Sequence, residues 1–155
     1  IEEFGLGPHV RLPGHLPVSA MPVAYALADA TVVASIEPEA FGRTAIEAAA
    51  LGCPVIATNI GAPPETVLAQ PAVPIQERTG WLVPPGDPEA LAAALAEVLA
   101  LSPDGRREIA KTARGHVLAH FTTEAMQRRT LAVYDLLLGT TLDKTFSVDT
   151  ALKIS

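Results

Sequence analysis

Short apolar runs alternate with helix-like patterns along most of this chain. Residues 31–34 and Val55–Thr58 are continuous runs of largely β-branched residues, and Trp81–Val83 is a third apolar run. Continuous runs of this kind are typical of parallel strands that are buried on both faces. The pattern therefore predicts three strands of a parallel sheet, and residues 10–12 could form one further strand.

Helical patterns lie between and after these strands. They predict helices over residues 21–28, 43–51, 65–68, 88–99 and 103–120, and a last helix that Thr122 or Thr123 begins. Gly52 and Pro54 end the second of them. Asp87 is predicted to be an N-cap, with Pro88 as the first helical residue. The helical spacing assigns these side chains to inner faces: Val23, Ala26, Leu27, Leu91, Leu95, Val98, Leu99, Met126, Val133 and Leu137.

Alternating strands and helices predict an α/β class domain, namely a Rossmann-like parallel sheet with helices on both faces. In such sheets ligands bind beyond the carboxyl ends of the strands. Residues 39–47 follow one predicted strand and residues 59–62 follow the next, so both loops should lie at the same edge. We expect residues 1–138 to form this domain and residues 139–155 to form a tail, or a segment that docks elsewhere.

Composition narrows the function classes further. The 155 residues carry a net charge of −6, so we do not expect a nucleic-acid surface, which needs concentrated Lys and Arg.

Cys53 is the single cysteine and is predicted to be a small buried residue. No internal disulfide can form, which fits a reducing compartment. No apolar run approaches the ~18 residues that span a bilayer. We expect a cytoplasmic protein, which in intact form could lie at the inner face of a membrane.

The strongest candidate chemistry lies in residues 39–47. Glu39 falls in a predicted loop and Glu47 about two turns into the following helix, with a small turn at Gly42 between them. Free amides at a helix start attract phosphate, and carboxylates accept hydrogen bonds from sugar hydroxyls. Arg43 is a cation at a helix start, which indicates either a nearby anion or a side chain that reaches solvent. The segment suits an anionic, hydroxyl-rich ligand.

Purely structural interpretations exist for the same residues. Glu47 could be an exposed helix residue, and Glu39 could be a solvated loop carboxylate or a partner of the helix dipole. Gly42 could be an ordinary glycine before a helix. Glu37 is interpreted as solvated.

The ordered motifs of the chain resemble the donor-binding domain of group 1 glycosyltransferases, which are retaining enzymes of the GT-B fold. The resemblance covers residues 10–138 and is carried by Ala34-Ser35, residues 39–48, residues 51–58, Gly61 with Glu65, and residues 79–87. Ala40 replaces a proline that is frequent in the family, and Ala62 replaces a second glycine after Gly61.

The resemblance implies a role for each residue of the segment. Glu39 would contact hydroxyls of the donor sugar, as the catalytic candidate, and Glu47 would accept hydrogen bonds from the nucleotide ribose. The turn formed by Phe41, Gly42, Arg43 and Thr44 would meet the donor and its distal phosphate. The donor would be a UDP-, GDP- or ADP-sugar, with no metal and no other cofactor. The implied reaction moves a hexose to a hydroxyl acceptor with retention of the anomeric configuration.

The resemblance also implies parts that we expect this chain to lack. These are the first two strands of the domain, an Arg and a Lys that neutralise the donor diphosphate, and the N-terminal acceptor domain. We therefore expect the chain alone to be inactive, to bind nucleotide weakly, and to self-associate through exposed strand edges.

Two alternative functions remain open from the sequence. A nucleotide-sugar epimerase can share the same architecture, and a non-catalytic interaction module could keep the fold for assembly. The spacing of Glu39 and Glu47 and the loop from Gly61 to Glu65 favour transfer over the epimerase. The intact pair of glutamates argues against the interaction module.

Overall fold

The computed structural model describes residues 1–146, which form three parallel strands flanked by helices. The strands are β1 (Thr31–Val33), β2 (Val55–Thr58) and β3 (Trp81–Val83). A 3₁₀ turn, Val18–Ala20, precedes the first helix. The helices are α1 (Met21–Leu27), α2 (Arg43–Ala50), α3 (Pro63–Thr66), α4 (Pro88–Leu99), α5 (Pro103–His120), α6 (Thr123–Leu138) and α7 (Leu142–Thr145). The predicted tail over residues 139–155 contains α7, and from residue 147 onward it lies outside the described residues.

The sheet has the order β1-β2-β3, with β2 in the centre and both pairings parallel. Thr31 is opposite Val55, and Ile56 is opposite Trp81. All four residues of β2 are buried, which explains why its apolar run is continuous and not alternating. The predicted parallel α/β sheet is confirmed.

Helices cover both faces of this sheet, as predicted. On one face α1, α2 and α5 pack against a cluster that includes Val33, Val55 and Ala57. On the other face α4 supplies Ala94 and Val98, which pack with Ile56, Trp81 and Val83. The small alanines of α2 allow it to lie close to the sheet and to α5.

Side-chain caps define where three of the helices begin. Asp87 Oδ1 accepts a hydrogen bond from the amide of Ala90 at 2.9 Å, which confirms the predicted cap of α4. Ser102 and Thr122 cap α5 and α6 in the same way, each at 3.1 Å. After α2, Gly52 turns the chain with a φ of 77°, a value that glycine adopts without strain.

Several predictions about individual elements are wrong. Residues 10–12 form no strand, because no strand of the described chain lies beside them to pair with. The predicted helix over residues 65–68 is displaced and spans Pro63–Thr66. In α1 the buried side chain is Tyr25, whereas Val23, Ala26 and Leu27 are exposed. Only one residue of this seven-residue helix is buried, so the spacing of its apolar residues does not indicate which face packs on the core.

The predicted inner faces of α4 and α6 are also only partly correct. Val98 is fully buried, but Leu99 is exposed. Met126, Val133 and Leu137 of α6 are exposed, and no residue of α6 is buried among the residues that the structure describes. The apolar spacing of α6 predicted a helix correctly, yet the packing of the described residues leaves these three side chains exposed.

The loops after β1 and β2 are joined at the carboxyl edge of the sheet. Glu39 and Gly61 form a parallel β-bridge, and the Ala62 amide donates to the Glu39 carbonyl at 2.9 Å. Gly61 has a φ of 72°, and a Cβ on it would lie 2.5 Å from the Glu39 nitrogen and 2.7 Å from its carbonyl oxygen. Only glycine permits this approach, so Gly61 sets the position of Glu39. The prediction that both loops lie at one edge is confirmed.

We predict that Gly61→Ala destabilises the fold by about 2–4 kcal/mol, because it adds both left-handed strain and a clash with backbone atoms. Gly86→Ala is the matched control: its φ is also 72°, but no atom lies within 4 Å of the added methyl group. The control should lose only about 1–2 kcal/mol. Urea unfolding followed by circular dichroism measures both. If both variants lost the same unfolding free energy, the close approach of Gly61 to Glu39 would contribute nothing to stability.

Candidate functional site

Glu39 is held at the start of α2 by its backbone and its side chain. The β-bridge to Gly61 fixes the backbone, and the Ser35 hydroxyl donates a hydrogen bond to Glu39 Oε1. The other oxygen, Oε2, lies 3.6 Å from where a Cβ on Gly42 would be. The carboxylate is therefore turned toward the helix start and away from bulk solvent on at least one side.

The first turn of α2 presents amides that no side chain caps. Gly42 precedes the helix in the left-handed conformation, with φ 70° and ψ 49°, and it is buried. Among the described residues, no side chain accepts from the amides at this helix start, in contrast to α4, α5 and α6. The amides of Arg43 and Thr44 have no partner within the helix, because they belong to its first turn. Together with the helix dipole they favour an anion at this point.

Glu47 lies one turn further along α2, and both of its carboxylate oxygens have a partner. Arg43 Nη2 donates to Oε1 at 2.8 Å, and the Tyr25 hydroxyl donates to Oε2 at 3.4 Å. The Glu47 side chain is 39% exposed and that of Arg43 is 75% exposed. Each carboxylate oxygen keeps a free lone pair, so Glu47 can still accept from a ligand.

Burial raises the pKa of the Tyr25 phenol, and the negative charge of Glu47 raises it further. Both effects act in the same direction as the hydrogen bond to Glu47, whereas the Thr44 hydroxyl and Arg43 lower the pKa. The phenol therefore stays protonated at neutral pH and remains a donor to Glu47.

Phe41 forms one wall of a cleft of about 640 Å³ beside the turn. Its half-exposed ring meets the edge of Phe121 with 6.3 Å between ring centroids. Phe121 in turn contacts His116, whose Nε2 is buried without a partner in the described structure. Burial lowers the pKa of His116, and the neighbouring His120 lowers it further. The aromatic contacts attach the Phe41 turn to the end of α5.

The structure brings the predicted site residues to one place, the first two turns of α2. Glu39 lies against Gly42, and Glu47 pairs with Arg43. Gly42 and Arg43 are consecutive residues, so the two carboxylates flank the same turn. Thr44 is exposed at the second helical position. Arg43 reaches solvent and pairs with Glu47, so its cation is partly neutralised by another site residue. The ligand-binding roles of all six residues stay predictions.

Sequence analysis missed the two residues that hold the carboxylates. Ser35 lies in the loop between β1 and α2, where a spacing of four residues from Glu39 predicts no contact. Tyr25 was overlooked because its helix was assigned another inner face. No sequence spacing connects Tyr25 with Glu47, which are 22 residues apart.

Residues 1–146 contain neither a metal-binding cluster nor a membrane-spanning helix. No three His, Cys, Asp or Glu side chains in this range lie close enough together to hold a metal ion. In the same range, none of the helices combines the length and the apolar character that crossing a membrane requires. Cys53 is buried with a free thiol, as expected.

Comparison with known proteins identifies relatives of this chain. Residues 1–116 match the family model described as glycosyl transferases group 1. A GDP-mannose-dependent alpha-(1-6)-phosphatidylinositol monomannoside mannosyltransferase of Mycolicibacterium smegmatis is 31% identical over 134 residues, which are 83% of this chain and 32% of that protein.

Two solved structures share the fold. Sucrose-phosphate synthase from Thermosynechococcus elongatus is 37% identical with a TM-score of 0.76, covering 90% of this chain and 33% of that one. Anabaena HepE in complex with UDP-glucose is 27% identical with a TM-score of 0.71, covering 85% of this chain and 34% of that one. This chain thus spans about a third of the length of these proteins. From the family match and the shared GT-B architecture, we conclude that the chain belongs to the group 1 glycosyltransferases.

Proposed function

We propose that this chain binds the nucleotide-sugar donor of a retaining glycosyltransferase, at the start of α2. One observation carries the proposal: Glu39 and Glu47 flank a helix start whose amides no described side chain caps. Two carboxylates around an anion-binding turn match a ligand that has sugar hydroxyls on both sides of a phosphate.

Each part of the donor has a counterpart in this arrangement. The distal phosphate lies at the amides of Arg43 and Thr44, where the helix dipole favours negative charge. The ribose diol donates to Glu47, which has two oxygens to receive two hydroxyls. Hydroxyls of the hexose donate to Glu39, whose carboxylate the Gly61 bridge holds beside Gly42. Phe41 forms the wall between this turn and the adjoining cleft.

The proposed reaction moves the hexose to a hydroxyl acceptor with the anomeric configuration retained. The nucleoside diphosphate leaves as an anion, and preorganised amides at the α2 start stabilise the charge that develops on it. Related proteins support a nucleotide-sugar donor without selecting the base. One relative is named GDP-mannose-dependent, and one structural neighbour was crystallised with UDP-glucose. UDP-, GDP- and ADP-sugars all remain candidates.

We predict that Glu47→Gln weakens binding of both the nucleoside diphosphate and its sugar conjugate by roughly 10- to 100-fold, the usual effect of losing hydrogen bonds to a charged group. Glu39→Gln should weaken binding of the sugar conjugate and leave binding of the nucleoside diphosphate unchanged, since Glu39 is assigned to the hexose. Glu37→Gln is the matched control, an exposed glutamate two residues away. Calorimetry with UDP, GDP, ADP and their glucose or mannose conjugates measures all three. Equal behaviour of the three variants would refute the assignment.

We also propose that transfer requires more protein than these 155 residues. The chain spans about a third of its relatives, and we place acceptor binding in the remainder. The isolated chain should show no sugar transfer and should bind nucleotide more weakly than micromolar. Chromatography of products decides this: a glycoside with free nucleotide from the isolated chain would contradict it. An isomerised nucleotide sugar would instead indicate an epimerase.

We further propose that a second copy of the chain pairs with the open edge of β1. In the described sheet β1 is bonded only to β2, and Val32 is exposed beside this edge. Unpaired strand edges form hydrogen bonds with other strands, and a lysine at the edge disfavours this. Light scattering should detect association that Val32→Lys reduces. A monodisperse monomer of the unmodified chain would contradict the proposal.

A further inference from the structure

Tyr25 connects the protein core to Glu47, the residue proposed to bind the ribose. Its side chain is 6% exposed and packs in the cluster that contains Val33 and Ile46. Its hydroxyl leaves this apolar environment at one point and donates to Glu47 Oε2. The contact joins α1 to α2, and both residues line a small cleft between these helices.

The two partners of the Glu47 carboxylate differ in how firmly they can orient it. Arg43 makes the shorter contact, but its side chain is 75% exposed. An exposed ion pair between long side chains is weak, because solvent screens it and both side chains lose freedom. Tyr25 has two rotatable bonds, and packing of its ring leaves them little freedom. The buried phenol is therefore the stiffer constraint on the plane of the carboxylate.

The orientation matters because a vicinal diol presents two hydroxyls in a fixed geometry. A carboxylate that already stands in the matching plane loses less conformational freedom when the diol binds. The Tyr25 hydroxyl uses one lone pair of Oε2 and Arg43 uses one of Oε1, so each oxygen keeps a lone pair for the ligand.

We propose that Tyr25 is a positioning residue that orients Glu47 for the vicinal diol of a ribonucleotide. The proposal rests on the donor-binding function assigned above and adds a residue to it. Tyr25 acts through Glu47 and does not itself touch the ligand.

The test is a double-mutant cycle with a change in the ligand. Tyr25→Phe removes the hydroxyl and keeps the ring, so the core remains packed. It should weaken binding of UDP, GDP or ADP by roughly two- to threefold, the low end for one hydrogen bond, because the Tyr25–Glu47 contact is long at 3.4 Å. Binding of the corresponding 2′,3′-dideoxynucleoside diphosphates should not change. In a Glu47→Gln background, Tyr25→Phe should have no further effect.

Tyr134→Phe is the matched control, because Tyr134 is a half-exposed residue of α6 and should leave every affinity unchanged. Circular dichroism melting verifies that each variant is folded. An equal loss for ribose and dideoxy ligands would show that Tyr25 acts only on packing and would overturn the proposal. Full affinity in Tyr25→Phe, with a loss in Glu47→Gln, would overturn it while the donor site stands. Unchanged affinity in Glu47→Gln would overturn both the role of Tyr25 and the proposed donor site.

Discussion

The close approach of two loop backbones at Gly61 is the constraint on which the candidate site depends. A Cβ at this position would lie inside the contact distance of two Glu39 backbone atoms. The resulting bridge fixes where β1 ends and how the chain enters α2. Because Glu39 and Gly42 are only three residues apart, this single contact places both the first carboxylate and the uncapped helix start. The site is thus organised by backbone geometry before any side chain contributes.

The side chains then orient what the backbone has placed. Ser35 holds one oxygen of Glu39, while Arg43 and Tyr25 hold the two oxygens of Glu47. Both carboxylates are therefore partly satisfied without a ligand, which limits the cost of keeping two like charges near one turn. The amides of that turn remain uncapped, whereas three other helices use a Ser, Asp or Thr cap. The helices α1, α3 and α7 also begin without a side-chain cap, but they are shorter than α2, and neither Glu39 nor Glu47 lies on them.

Much of the fold followed from local patterns. Continuous apolar runs predicted β1, β2 and β3. Asp87 correctly marked the start of α4 and Gly52 the end of α2, because these signals depend on a few neighbouring residues. Predictions that required knowing what packs against an element failed more often. Residues 10–12 formed no strand, and the apolar faces of α1 and α6 were misassigned, since periodicity states that a helix has an apolar face without stating what covers it.

Local residue patterns were enough to predict the α/β class and the family, and they nominate residues 39–47 as the candidate segment for ligand chemistry. These depend on residue types at short spacings, which a linear chain displays directly. Two other contacts became visible only in three dimensions: Gly61 supports Glu39 from a neighbouring loop, and Tyr25 reaches Glu47 from another helix. Contacts across 22 residues arise from how helices and strands stack in three dimensions, and no local pattern in the chain encodes such a distance.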